Sequence, residues 1–466
     1  PGRRSSHITE KKELMKKAVI AGAGLVGSLL AVILAKRGYR VKVYERRPDM
    51  RNFEMSAGKS INLALSTRGW KAVELAGVRG HVEEVAIPMY GRQIHDIKGK
   101  ETFQPYGREG QAIYSVSRGE LNCVLMDEAE KRDEVELFFH QKCVGVDFEK
   151  STARFVHTET GAETEETADL IFGADGAFSQ VRAEMQKTRR FNYSQEYIPH
   201  GYRELLLPAG PNGEFRMEKN ALHIWPRGGY MLIALPNADG SFTCTLFMPY
   251  EGEHSFEALK TDEDVRRFFE EQFPDFSAMM PDLTENYKSP PLADLVIIRC
   301  MPWVRNRTCL IGDASHAIVP FYGQGMNSGF EDCSVLDGLI EKNNHDWDRI
   351  LPEFQTLRKP DADAIAELAM RNYIEMRDLV GDPKFLLQKK IEARLHEKHP
   401  KAWMPLYSQV TFSHRRYSEA LAEGKEQDKI MEAFMDLPDI EQRWDDPELA
   451  KAILEKKHGA KAVTNA

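Results

Sequence analysis

The residues best placed to do chemistry sit where three apolar strands end. Near the start, Ala18-Val-Ile-Ala21 runs into Gly22-Ala-Gly24-Leu25-Val26-Gly27, and Glu45 closes Arg40-Val-Lys-Val-Tyr-Glu45. Mid-chain, Leu170-Ile-Phe-Gly-Ala leads to Asp175-Gly176, and later Leu310-Ile leads to Gly312-Asp313. Gly22 permits a tight turn, Gly24 lets backbone approach a pyrophosphate, and Gly27 lets the next helix pack closely on the strand. Leu25 and Val26 open that helix, whose free N–H groups and partial positive charge suit phosphates. Glu45 stands 18 residues after Gly27, where a carboxylate can accept from a ribose diol. Asp175 can bind a cofactor hydroxyl or brace the neighbouring loops, with Gly176 permitting the turn. Asp313 is suited to the hydroxyls of a ribityl chain. The segment 320–327, with Gly325, Met326 and Asn327, runs into a further helix at about 327–340; its glycines admit a flat ring, and the helix N-terminus can stabilise negative charge on it. Arg46 and Arg118 complete the set expected to bind the cofactor. Each acid alone reads as an ordinary strand-end turn residue; three in this order point to one flavin dinucleotide.

These residues need elements to hold them. Strand 18–22, helix 25–38 and strand 40–45 read as a βαβ unit. Residues 117–131 have helical spacing, with Ser117 as N-cap. Residues 135–172 read as short strands with a polar hairpin near Gly161. From 191 to 290 the pattern becomes strand alternation: Leu222–Pro226, Tyr230–Pro236 and Phe242–Met248 are expected neighbours across glycine turns. From 346 the chain is charged and helical, with Pro360, Pro383, Pro400 and Pro405 as breakers. The expected fold is α/β: a Rossmann-type dinucleotide-binding domain (15–190 and 291–345), an inserted antiparallel-sheet substrate domain (191–290) and a C-terminal helical cap (346–466). Residues 1–14 read as an added leader, with Met15 as the natural start.

Composition narrows the classes. The chain has 466 residues, enough for two or three domains, with 42% hydrophobic residues and net charge -9. Scattered basic residues argue against nucleic acid. No apolar run is long enough to span a membrane and no secretory leader precedes the first strand, so a cytoplasmic enzyme without a membrane anchor is expected. The six cysteines, Cys123, Cys143, Cys244, Cys300, Cys309 and Cys333, form no zinc spacing and are expected as thiols. No metal site is expected.

With all three motifs placed, the chain resembles the single-component flavoprotein aromatic hydroxylases. The segments 60–66, 104–108, 220–226, 319–327, 371–376 and 407–412 resemble the branch that hydroxylates L-kynurenine. The resemblance implies FAD, NADPH as a transient co-substrate and molecular oxygen. It implies formation of 3-hydroxykynurenine through a flavin C4a-hydroperoxide, with the protein supplying orientation and a dry pocket. It places Arg92, Tyr106, Asn372 and Tyr407 at the amino-acid end of the substrate. An Arg fork suits a carboxylate, and phenols add neutral donors. It places the aromatic ring among Leu222, Met231, Ile233, Leu235, Phe247, Pro320, Phe321 and Met376. Met231, Ile233 and Leu235 alternate and so share a strand face; Asn372 and Met376 share a helix face. Without the resemblance, Arg92 reads as a solvated surface charge and the apolar set as plain core. Lys59 and Tyr322 depart from the branch pattern, and the role of Tyr322 is left open. His316 is expected to hydrogen-bond structurally; neither it nor His223 is assigned acid–base work.

Three other readings compete with this one. The first is a related FAD-dependent hydroxylase acting on another aromatic acid or phenol. The second is a flavin halogenase or saturating reductase; the Trp-x-Trp-x-Ile-Pro segment of halogenases is absent. The third is a non-catalytic FAD-binding protein, which NADPH oxidation and a hydroxylated product would exclude.

Overall fold

The structure is a computed structural model describing residues 16–53, 62–379 and 382–464. The leader 1–14, Met15, Lys59, and Ser60 and Ile61 of the segment 60–66 lie outside these residues. The first strand, Lys17–Ala21, is wholly apolar after its first residue, as a central parallel strand buried on both faces must be. It pairs in parallel with Arg40–Tyr44 on one side and Leu170–Gly173 on the other. Val135–Phe138 and Thr308–Leu310 extend the parallel sheet outward, and Val304–Arg305 adds an antiparallel edge. The chain leaves the central strand in one direction first and later returns on its other side. That reversal opens a crevice at the strand C-termini, where ligands of such sheets bind. Gly22, Asp175 and Asp313 follow the C-terminal ends of three of these strands.

The second sheet has seven strands. Leu222–Pro226, Met231–Pro236 and Phe242–Pro249 are antiparallel neighbours. The sheet is larger than the interval 191–290. It also takes Gly91–His95 and Glu101–Pro105 from the stretch assigned to the nucleotide layer, and Ala293–Met301 from the stretch assigned to the return. Gly91–His95 pairs in parallel with Leu222–Pro226 across more than a hundred residues of chain. Periodicity cannot reveal so distant a pairing. The long strand Asn192–Leu207 and its partner Ala293–Met301 form the ribbon joining the two sheets.

The C-terminal region is helical. Pro383 opens the helix Pro383–Lys398 and Pro405 precedes Leu406–Thr411, but Pro360 lies inside the helix Trp347–Ile374 with Pro352. A proline inside a helix deprives carbonyls of the preceding turn of their partners. Pro360 removes the N–H that would reach the Thr356 carbonyl; the next carbonyl, that of Leu357, accepts from the Arg416 guanidinium at 2.7 Å, so the turn before the proline is braced from outside the helix. None of the helices among the described residues is long and apolar enough to cross a membrane.

Candidate active site

A cavity of about 620 Å³ runs from the strand ends of the parallel sheet to the inner face of the seven-stranded sheet. At its dinucleotide end lie Gly22, Gly24, Leu25, Val26, Glu45, Arg46, Arg118, Asp175, Gly176, Asp313, Gly325 and Met326. Gly22 has φ +105, and a Cβ there would stand 2.4 Å from the Ala174 carbonyl oxygen. Gly24 differs: a Cβ there would meet nothing within 4 Å, and the same holds for Gly176. The space before these two residues is therefore free for a ligand to approach backbone closely. Glu45 accepts from Ala23 N–H at 3.0 Å and from Arg47, so it fixes the glycine turn while still facing the cavity. The exposed carboxylate of Asp313 lies at the start of a single helical turn. This set fits the pyrophosphate, ribose and ribityl groups of FAD.

Some predicted cofactor residues act one layer back. A Cβ on Gly27 would stand 2.0 Å from the Gly22 carbonyl oxygen, so this residue serves helix packing and lines no ligand space. Gly312, at φ +63, also stands behind the cavity wall, packed on Val26. The Asn327 side chain is not presented to the cavity. It accepts from Ser66 N–H at 2.8 Å and donates to the carbonyls of Ala64 and Gly323. Asp175 lines the cavity and also accepts from Ser179 Oγ and from the N–H groups of Gln180 and Val181, bracing the next helix. His316 pairs with the buried Asp332 at 2.6 Å.

All twelve predicted substrate residues line the other end of the same cavity. Arg92 is 7% exposed, not a surface charge. Its guanidinium carbon lies 5.6 Å from the Tyr106 ring and 5.4 Å from the Tyr407 ring, and those two rings stack at 5.2 Å. Burial opposes the charge on Arg92, but the tyrosines and Glu375 outweigh it and hold its pKa above the ordinary value. Burial pushes the Tyr106 phenol up, so it stands as a neutral donor. The Asn372 amide donates to the Phe321 carbonyl at 2.6 Å, so this donor positions the loop 320–322. Phe321 in turn meets Phe247 edge-on at 5.0 Å. The apolar wall from Leu222 to Phe247 therefore shares its end of the pocket with the buried Arg92 guanidinium.

A family model described as "FAD binding domain" matches residues 15–367. The kynurenine 3-monooxygenase of Flavobacterium johnsoniae is 52% identical over 440 residues, covering 94% of this chain and 98% of the relative. The chain belongs to the kynurenine 3-monooxygenase family. The kynurenine 3-monooxygenase of Sus scrofa is 46% identical over 427 residues, covering 88% of this chain and 87% of that relative. The fold is shared with solved flavoenzymes at low identity. A tetrameric form of 2-methyl-3-hydroxypyridine-5-carboxylic acid oxygenase superposes with a TM-score of 0.65 at 20% identity, covering 79% of this chain and 94% of that one. Pseudomonas aeruginosa PqsL in complex with 2-aminobenzoylacetate gives 0.63 at 19%, with 78% and 97% covered.

In this member of the kynurenine 3-monooxygenase family, one residue on the cavity wall and two behind it have no role assigned from sequence. Tyr322 is buried on the cavity wall and stacks on Tyr407 at 5.5 Å; burial holds its phenol protonated. Glu375 brings a carboxylate within 4.0 Å of Arg92. Gln324 sits directly before the helix Gly325–Lys342 and accepts from Tyr417 Oη at 2.8 Å. Glu375 sits in the segment 371–376, where its helical neighbours Asn372 and Met376 offered the only clue.

Proposed function

We propose that the protein hydroxylates L-kynurenine to 3-hydroxykynurenine, using FAD, NADPH and molecular oxygen. One observation carries the reading: a buried guanidinium flanked by two phenols closes the far end of a cavity that begins at a dinucleotide-binding turn. Bound FAD would take hydride from NADPH and supply one oxygen atom of O2 to the substrate ring. Gly22, Gly24, Glu45, Arg46, Arg118, Asp175, Gly176 and Asp313 would hold its dinucleotide part. The N-terminus of Gly325–Lys342 would face its ring system and stabilise negative charge there. Arg92 would take the substrate carboxylate as a fork, assisted by the Tyr106 and Tyr407 hydroxyls. Leu222, Met231, Ile233, Leu235 and Phe247 from the sheet, with Pro320, Phe321 and Met376 opposite, would orient the aniline ring and exclude water. No side chain is needed as nucleophile or proton donor to the reacting carbon, so the protein acts by orientation and desolvation.

Incubation of the FAD-loaded protein with NADPH and L-kynurenine should give a product heavier by one oxygen, identified by mass spectrometry. Failure with kynurenine and turnover of a benzoate or phenol instead would move the protein to a neighbouring hydroxylase class. A cytoplasmic setting is the accompanying reading, supported by the six free cysteines, five of them buried, with burial pushing the thiol of Cys244 up to about 12.

A further inference from the structure

We propose that Arg68 is a positioning residue for the substrate carboxylate site, acting through the short helix Leu406–Thr411 that carries Tyr407. The proposal rests on the reading of Arg92, Tyr106 and Tyr407 as that site. Arg68 lies on the helix Thr67–Ala76 in the dinucleotide layer and is 1% exposed. It lines no part of the cavity. Its guanidinium reaches out of its own layer instead. Nε donates to the Val410 carbonyl at 2.9 Å, and Nη2 donates to the Arg415 carbonyl and, at 3.5 Å, to that of Gln409. The last carbonyls of a helix have no partner within it. Arg68 supplies partners for two of them on a helix only six residues long, which has little stability of its own. The guanidinium also lies 4.0 Å over the Tyr417 ring, clamping the segment just after the helix.

The other arm of Arg68 is tied to the cofactor layer. Nη1 donates to Glu331 at 2.6 Å, and the second Glu331 oxygen accepts from Arg358 at 2.7 Å. Arg358 also donates to Asp332 at 2.7 Å, and Asp332 accepts from Gly312 N–H at 3.0 Å. A continuous chain of charge-assisted hydrogen bonds, buried except at the partly exposed Glu331, thus runs from the turn that carries Asp313 to the helix that carries Tyr407. Arg68 is the link where it crosses between layers. The roof over the carboxylate site is thereby set in register with the cofactor turn. A charge that only neutralised Glu331 would need no fork; the contacts to successive carbonyls do need one.

That difference gives the test. Arg68→Lys keeps the charge facing Glu331 and loses the fork. With FAD-loaded protein, L-kynurenine is titrated by the change in flavin absorbance, and amide hydrogen exchange is followed at 406–416. Arg68→Lys should retain its FAD and show faster exchange across 406–416. Its dissociation constant for L-kynurenine should rise roughly tenfold, the equivalent of about one lost charge-assisted hydrogen bond. Tyr407→Phe should then weaken binding less in the Arg68→Lys background than in the wild type, because a misplaced phenol has less to lose. Wild-type affinity and exchange in Arg68→Lys, or strict additivity with Tyr407→Phe, would overturn the proposal. If Arg68→Lys does not fold, Glu331→Gln carries the test by freeing the other arm, with the same expected and overturning results. Arg92→Ala is titrated alongside. If Arg92→Ala binds kynurenine as the wild type does, the site reading fails; if it binds weakly while Arg68→Lys binds normally, only the role of Arg68 fails.

Discussion

At the scale of single residues, the decisive contact is that of one buried cation with its surroundings. Arg92 would meet a substrate carboxylate in a site with little water, so its loss should be felt in binding and not in cofactor retention. Arg92→Ala should raise the dissociation constant for L-kynurenine tenfold or more, since removing a buried charge partner costs on the order of 2–5 kcal/mol. FAD content should be unchanged, because Arg92 touches none of the dinucleotide motifs; unchanged kynurenine affinity would remove it from the site. Glu375 poses a second question. Its carboxylate, 4.0 Å from Arg92, opposes an incoming carboxylate and would favour a substrate that also carries an ammonium group. Glu375→Gln should therefore narrow the preference for L-kynurenine over its des-amino analogue, by roughly tenfold on Coulomb arguments for a half-screened pair. Competition titrations of the two ligands read this directly, and an unaltered preference would assign Glu375 to Arg92 alone. Arg92 also shows the limit of sequence reading. A lone Arg carries no mark of burial, and only the family resemblance separated it from the surface arginines.

At the scale of elements, turns and helix ends do the holding, and two glycines with different tasks illustrate it. Gly22 and Gly27 have backbone within reach of any added carbon, whereas Gly24 faces open space. Gly24→Val should thus leave the apoprotein as stable as wild type by thermal unfolding but lower its FAD occupancy. A variant with full flavin absorbance would show that no phosphate approaches there. The acids after the third strand divide in a similar way. Asp313 is exposed to the cavity, whereas Asp332 is buried and receives Gly312 N–H, Arg358 and His316. Burial pushes the Asp332 carboxyl up, yet His316 and Arg358 outweigh it and hold it below the usual range. Asp313→Ala should weaken FAD binding by roughly 1.5–3 kcal/mol while sparing apoprotein stability. Asp332→Ala leaves several buried donors unpaired and should lower apoprotein stability by about 3–5 kcal/mol. Equal apoprotein melting temperatures for the two would contradict this division. The sequence showed where these elements lie, because Gly22–Gly27, Asp175-Gly176 and Gly312-Asp313 mark strand ends through local rules. It did not show that Asn327 turns inward to Ala64 and Gly323, nor that Pro360 stays within a helix. Both places are met by partners remote in sequence: Ser66 donates to Asn327, and Arg416 braces the Leu357 carbonyl in the turn before Pro360.

At the scale of the whole molecule, the cavity is a seam between two sheets, and the seven-stranded sheet has a second face. Along Leu222–Pro226, Leu222 faces the cavity while His223 and Trp225 face away, toward the helices between 262 and 288. That alternation was legible in sequence; what packs behind it was not. The Glu218 carbonyl can only accept, so His223 donates to it through Nε2 at 2.8 Å and presents an Nδ1 lone pair to His95 Nε2 at 2.9 Å. His95 Nδ1 meets Asp275 at 2.8 Å, and Trp225 Nε1 donates to the same carboxylate at 3.0 Å. Burial drives the His223 imidazole down to about 4, from 6.5 in a free chain. The folded protein therefore keeps His223 neutral where the unfolded chain has protonated it. Stability from this group is fully present above pH 6.5 and is lost as pH falls from 6.5 to about 4, amounting to about 3 kcal/mol at most. Burial likewise depresses His200, His345 and His414, so all four act in the same direction. With FAD in excess, the wild-type melting temperature should fall between pH 7.5 and 5. His223→Gln should melt lower at pH 7.5 and lose less on acidification, since Gln has no proton to gain. Its kynurenine affinity at pH 7.5 should match the wild type, because His223 lies on the sheet face away from the ligand. An unchanged acid slope in His223→Gln would place the sensitivity in His200, His345 or His414. A loss of kynurenine affinity at pH 7.5 would show that the two faces of the sheet do not act independently.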